Sequence, residues 1–149
     1  MTVPDATRLL HARRGASRYV FAGSGFRKVP TNRIVSIARK AALRSRDRYN
    51  VGAVVYRGSR ILGVGTNDML KTSPLSFHAF KSRHAEFNAI RRAVGTDAFN
   101  VGRRECRISG ASIYVHRVGR DGLDHCAKPC EACQKMIAWA EIKNVEWSE

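Results

Sequence analysis

Val51-Gly52-Ala53-Val54-Val55-Tyr56, then Arg57-Gly58-Ser59-Arg60, then Ile61–Thr66 read together as a β-hairpin. The first stretch is a short, valine-rich apolar run, which suits a strand buried on both faces. The second is a glycine-bearing turn, and the third returns the chain as the partner strand. Before the hairpin, Thr31 or Asn32 can cap a helix whose apolar positions Ile34, Ile37, Ala38, Ala41 and Ala42 follow the 3.6-residue period. After it, a polar loop over Asn67–Arg83 leads to a helix over His84–Val94 and a surface loop over Gly95–Gly110. A strand over Ser112–Arg117, a helix over Pro129–Ala140 and a short strand over Val145–Trp147 complete the pattern. Strands alternating with helices predict an α/β fold, a mixed sheet with helices on both faces.

The 149 residues suit one compact domain. Residues 1–31 read as a basic N-terminal arm, with a short helix over Ala6–Arg14 and a loop at Gly23-Ser24-Gly25, and residues 32–149 as the folded domain. The chain holds 27 basic against 12 acidic residues, a net charge of +15. Residues 1–50 carry 12 basic and 2 acidic residues, so most of the excess lies there. Such a surface attracts phosphorylated substrates and polyanions. Arg13, Arg14, Arg18, Arg27 and Lys28 are the candidate contacts to phosphate or single-stranded nucleic acid. No apolar run approaches the roughly 20 residues of a membrane span. Cys130 and Cys133 form a C-x-x-C while Cys106 and Cys126 lack obvious mates, so no disulfide framework is expected and a reducing cytoplasm is the simplest home.

The chemistry lies in His84-Ala85-Glu86 and Pro129-Cys130-Glu131-Ala132-Cys133, each opening a predicted helix. Cys130 and Cys133, three apart, share one face of a first helical turn and can grip one ion. Pro129 suits the first helical position, where a missing N–H costs nothing. The partial positive charge of a helix N-terminus favours thiolate over thiol. His84 completes three protein ligands, leaving the fourth tetrahedral position of zinc for a water, whose pKa falls towards about 7. Glu86 is placed to reach the water rather than the metal, taking its proton, passing it to a ring nitrogen and protonating a departing amine. The competing reading is a basic nucleic-acid-binding module whose structural zinc is closed by Cys126 or His125. That reading leaves Glu86 without a purpose. Cys106 and Cys126 otherwise read as small hydrophobes, and Trp139 and Trp147 as core or subunit-contact residues.

H-x-E followed by P-C-x-x-C marks zinc deaminases acting on C4 of cytosine or C6 of adenine. On these motifs the segment from Arg33 to Ser148 resembles the cytidine/deoxycytidylate deaminase superfamily. The Val51–Val55 strand, Gly65-Thr66-Asn67 and Ile142-Lys143-Asn144-Val145-Glu146 fall in family order. His84-Ala85-Glu86-Phe87-Asn88-Ala89-Ile90 is most similar to the deoxycytidylate branch. Ala127-Lys128-Pro129-Cys130, with Tyr114-Val115-His116-Arg117 before it, is similar to small phage-type deaminases. The resemblance implies a three-layer α/β/α sandwich of the cytidine deaminase type, a Zn2+ cofactor and homo-oligomeric assembly. It implies hydrolytic conversion of cytosine to uracil in a nucleotide, with dCMP fitting best and ammonia released. It also implies that Asn67 bonds the sugar or its phosphate side, that the Ala85 backbone contacts the base, and that the Ala53 region lines the pocket. Two alternatives stay open: adenosine-to-inosine conversion in tRNA, and cytosine deamination within single-stranded nucleic acid. Asn67-Asp68-Met69-Leu70 stands where allosteric members carry a glycine-rich effector loop, so control by nucleoside triphosphates is not implied.

Overall fold

Thr31 starts the first helix by accepting the amide of Ile34 on its hydroxyl at 3.4 Å. In this computed structural model, which describes residues 17–21, 30–68, 83–95 and 108–149, that helix is α1, Asn32–Leu43. It buries Ile34, Ala38, Ala41 and Ala42, the periodic positions of the sequence apart from Ile37. The hairpin follows as β2, Asn50–Arg57, and β3, Arg60–Thr66, antiparallel and with a register shift between Val55 and Tyr56. Then come α2, Ala85–Val94, and β4, Ser112–Val118. The two-residue β5, Asp124–His125, α3, Glu131–Trp139, and β6, Asn144–Ser148, follow. Ser17–Phe21 forms β1.

The strands lie in the order β1-β6-β4-β2-β3, with β5 pairing to β4 off this path. β4 runs antiparallel to β2 and parallel to β6, so the sheet is mixed as expected. β1 pairs antiparallel with β6 and covers what would otherwise be an open strand edge. Part of the predicted arm therefore lies in the sheet. Successive side chains of a strand point to opposite faces. Ala53, Val55, Ile113, Val115, Val145 and Trp147 pack with α2 and α3 on the front face. Val54, Tyr56 and Tyr114 pack under α1 on the back. Burial of a side chain such as Phe87 or Ile90 contributes about 1.5–3 kcal/mol. The result is the α/β/α layering that the sequence predicts.

Two glycines of β3 set the position of α2. A Cβ on Gly65 would overlap the Ala85 carbonyl oxygen and the Ala89 nitrogen, and one on Gly63 would overlap the Ala89 carbonyl oxygen. The absence of side chains lets the helix that begins beside His84 lie directly on the strand. The expected helix over Ala6–Arg14, the loop at Gly23-Ser24-Gly25, and most of the loops Asn67–Arg83 and Gly95–Gly110 fall outside the described residues. So do Arg13, Arg14, Arg27, Lys28 and Cys106; Arg18 lies in β1, opposite Trp147 in register. Among the described residues no helix is long and apolar enough to cross a membrane.

Candidate active site

α2 and α3 both begin at the front of the sheet, and each is entered through a residue of the predicted metal set. His84 is the N-cap of α2 and Cys130 the N-cap of α3. This corrects the expected start of α3: Cys130 has extended backbone, φ −66° and ψ 167°, and Pro129 stands before the helix rather than at its first position. The reason is capping. The Cys130 sulfur accepts the backbone N–H of Cys133 at 3.4 Å, as a serine or aspartate would. Cys133, three residues on, turns its sulfur to the same side.

His84 Nδ1 lies 3.3 Å from Cys133 Sγ and 3.6 Å from Cys130 Sγ, and the three donor atoms all fall within 4.8 Å of one another. Zinc bonds of about 2.3 Å to sulfur and about 2.0–2.1 Å to nitrogen, at tetrahedral angles, span N···S edges of about 3.5 Å. The donor set and its spacing therefore fit zinc. Among the described residues the group has these three members. His125 bonds instead to Asp121 at 3.0 Å. Cys126 is exposed and not the small core hydrophobe that its sequence context suggests, because it faces the cleft.

The groups of the site shift one another's proton affinity. A hydrogen bond from Cys133, helped by His84, pulls the Cys130 thiol down to about 3. The same bond, together with burial, pushes the Cys133 thiol up. The hydrogen bond to Cys130 raises His84 despite the opposing effect of burial. Glu86, only 5% exposed, is raised by burial above the usual carboxylate range. A deprotonated Cys130 sulfur is ready to ligate, and a buried carboxyl with raised affinity for protons is ready to carry one.

These groups open into a cleft of about 590 Å³ lined by His84, Ala85, Glu86, Cys130 and Asn67, by Asp47, Arg48 and Tyr49 from the α1–β2 loop, and by Val51, Arg117 and Lys128. Asn67 is heavily committed: its amide nitrogen donates to Asp47 at 3.0 Å and to the Tyr49 carbonyl at 2.6 Å, while its oxygen accepts from the Val51 amide at 3.0 Å. It ties the cleft loop to the strand ends. Ala85 lines the cleft. Ala53 is wholly buried in the core, and Val51, two residues earlier on the same face, lines the cleft. Arg48, Tyr49, Arg117 and Lys128 were not singled out from the sequence. A signal for Arg117 existed, since Ile113, Val115 and Arg117 alternate onto the front face of β4 and Arg117 stands opposite Val51 in register.

The family model described as the cytidine and deoxycytidylate deaminase zinc-binding region matches residues 30–149. Among solved structures the chain is similar to apo dCMP deaminase from the cyanophage S-TIM5, at 25% identity over 76% of this chain and 81% of that one, with a TM-score of 0.45. It is similar to a structure from a study of A-to-I editing by tRNA:A34 deaminases at the wobble position of transfer RNA, at 23% identity over 74% and 69%, with a TM-score of 0.47. RibD of Acinetobacter baumannii is similar at 20% identity over 74% of this chain and 24% of that one, with a TM-score of 0.38. No curated protein sequence matches the chain.

Proposed function

The chain belongs to the cytidine and deoxycytidylate deaminase family, and from this premise we propose that it converts cytosine to uracil in a phosphorylated nucleotide, dCMP fitting best. It is a zinc-type deaminase; the base, the sugar and the residue roles are the proposal. The supporting observation is a nearly buried carboxyl, Glu86, that lines the same cleft as His84 and Cys130, two members of the donor triad completed by the buried Cys133.

When bound by these three residues, zinc supplies a water acidic enough to react near neutral pH. Glu86 takes a proton from the attacking water and delivers it to N3 of the cytosine ring. It then passes the second proton to the exocyclic amine, the C4–N bond breaks, a C4–O bond remains and ammonia leaves. Burial suits Glu86 to this role, because a carboxyl with raised proton affinity can both accept and return a proton. Ala85, at the start of α2, lines the cleft, and its backbone is the group that would contact the base.

A second reading, cytosine deamination within single-stranded nucleic acid, draws support from exposed Arg48 at the cleft, from exposed Arg44 and Arg46 shortly before it in the chain, and from the basic N-terminal residues. Ammonia release from dCMP, CMP, cytidine, adenosine, single-stranded DNA and tRNA tests both. The proposal expects dCMP to lead. Release from tRNA adenosine with none from any cytosine compound would overturn it. Binding to single-stranded DNA between about 50 and 200 mM salt tests the basic segment, since several phosphate contacts imply a loss of orders of magnitude in affinity.

A further inference from the structure

Tyr49 stands exposed at the cleft with two guanidinium groups over its ring, Arg117 at 4.7 Å from the centroid and Arg48 at 5.6 Å. Lys128 lines the same cleft. Among the described residues no carboxylate lies within ion-pair distance of any of these three cations. The Arg117 Nε is buried and has no acceptor there. Asp47 also lines the cleft, with an oxygen taken up by the Asn67 amide at 3.0 Å. Like charges gathered on one aromatic ring repel, and a buried N–H without an acceptor is unfavourable. Both costs disappear when an anion enters.

We propose that Arg117, Arg48 and Lys128 form an anion clip, braced by Tyr49, that holds the phosphate ester of the substrate. The placement of the base beside Glu86 rests on the deaminase reading above; the binding of the anion does not. A guanidinium fork matches phosphate oxygens in pairs, and the lysine adds a point charge. Arg117 is carried by a strand whose register is held on both sides, by Val51 of β2 and by the Ser148 hydroxyl that accepts its backbone N–H at 3.0 Å. A clip on such a rigid element can discriminate as well as attract. Tyr49 is anchored in turn through its carbonyl, which accepts from Asn67 at 2.6 Å. Asn67 thus acts as a positioning residue for the clip. The clip makes Arg117 a specificity determinant, separating phosphorylated from unphosphorylated substrate.

The test is calorimetric binding of dUMP, deoxyuridine and a short deoxyuridine oligonucleotide to the zinc-loaded full chain, so that no turnover intervenes. Wild type binds dUMP about 10–100-fold more tightly than deoxyuridine, as expected for charge-assisted hydrogen bonds. Arg117→Met removes that margin and leaves deoxyuridine binding unchanged, while inorganic phosphate competes with dUMP only. Arg48→Met, in an exposed loop, provides the same reading should the strand variant fail to fold. An Arg117-dependent gain on the oligonucleotide but not on dUMP also supports the clip and assigns it to a phosphodiester. Equal affinity of wild type for all three compounds overturns the clip, as does unchanged dUMP binding in both variants. Turnover separates the two claims: dCMP deamination with unaltered KM in both variants removes the clip and keeps the substrate. Clip-dependent dUMP binding without any cytosine deamination does the reverse.

Discussion

Glu86 and Glu146 are buried on opposite faces of one sheet, 5% and 1% exposed, and their surroundings differ in kind. On the back face, under α1, the Tyr56 hydroxyl donates to Glu146 at 3.1 Å. Nearby, the Tyr114 hydroxyl meets His116 Nδ1 at 2.9 Å and His116 Nε2 meets Asp124 at 2.8 Å, with Arg39 Nε 3.5 Å from the same carboxylate. Burial and the neighbouring Glu146 push the Tyr56 hydroxyl up, which keeps it a donor. The Tyr56 hydroxyl there ends on Glu146, and Tyr114, His116 and Asp124 end on one another, as most buried polar groups in stable cores do. On the front face Glu86 also avoids water, but it lies where two helix starts and a cleft converge. Burial alone does not mark chemistry. A buried titratable group with an open space before it does.

Substitutions on the two faces should therefore separate activity from stability. The largest effect is expected from Cys130→Ser, which removes a zinc-type ligand while its hydroxyl can still cap α3. Zinc measured after dialysis falls well below equimolar and ammonia release is lost. Retention of equimolar zinc would break the front-face account. Gly65→Ala comes next, because the added methyl meets the Ala85 carbonyl oxygen and the Ala89 nitrogen. α2 must shift, costing about 1–3 kcal/mol of stability and displacing His84 and Glu86. Both Tm and kcat should drop, and a drop in Tm alone would show that the site tolerates the shift. Tyr56→Phe removes the hydroxyl donated to Glu146 and costs about 1–3 kcal/mol in denaturant unfolding. Its zinc content and its kcat below the transition should match wild type; a fall in kcat would give the back face a part in the chemistry. Cys126→Ser is the smallest, with zinc and activity unchanged, because the cleft-facing thiol lies outside the donor group.

The front-face donor group was legible in the sequence because its residues are tied to local events. His84 and Cys130 announce helix starts, and a spacing of three fixes which side of the turn a second sulfur faces. Even so, the exact start of α3 was missed, since a cysteine acting as a cap is indistinguishable by pattern from one inside the first turn. The back-face network was not legible. His116 and Glu146 sit at alternating strand positions that sequence alone treats as solvent-facing, and only the register of β4 against β2 and β6 brings Tyr56, Tyr114 and Glu146 together. β5 was missed for a different reason. It is two residues long, and its sole advance signal was the glycine pair Gly119 and Gly122, the latter at φ 76°. The pairing of β1 with β6 joins the two ends of the described chain, a contact that no local pattern encodes.

The most direct test of the central claim compares wild type and Glu86→Gln, with zinc content and ammonia release from dCMP measured on the same zinc-loaded samples. The substitution keeps the size of the side chain and removes its ability to carry a proton. Equimolar zinc in both proteins with ammonia release reduced by about 10²–10⁴-fold in the variant is the predicted result. Undiminished ammonia release by Glu86→Gln would contradict it and place the proton transfer elsewhere.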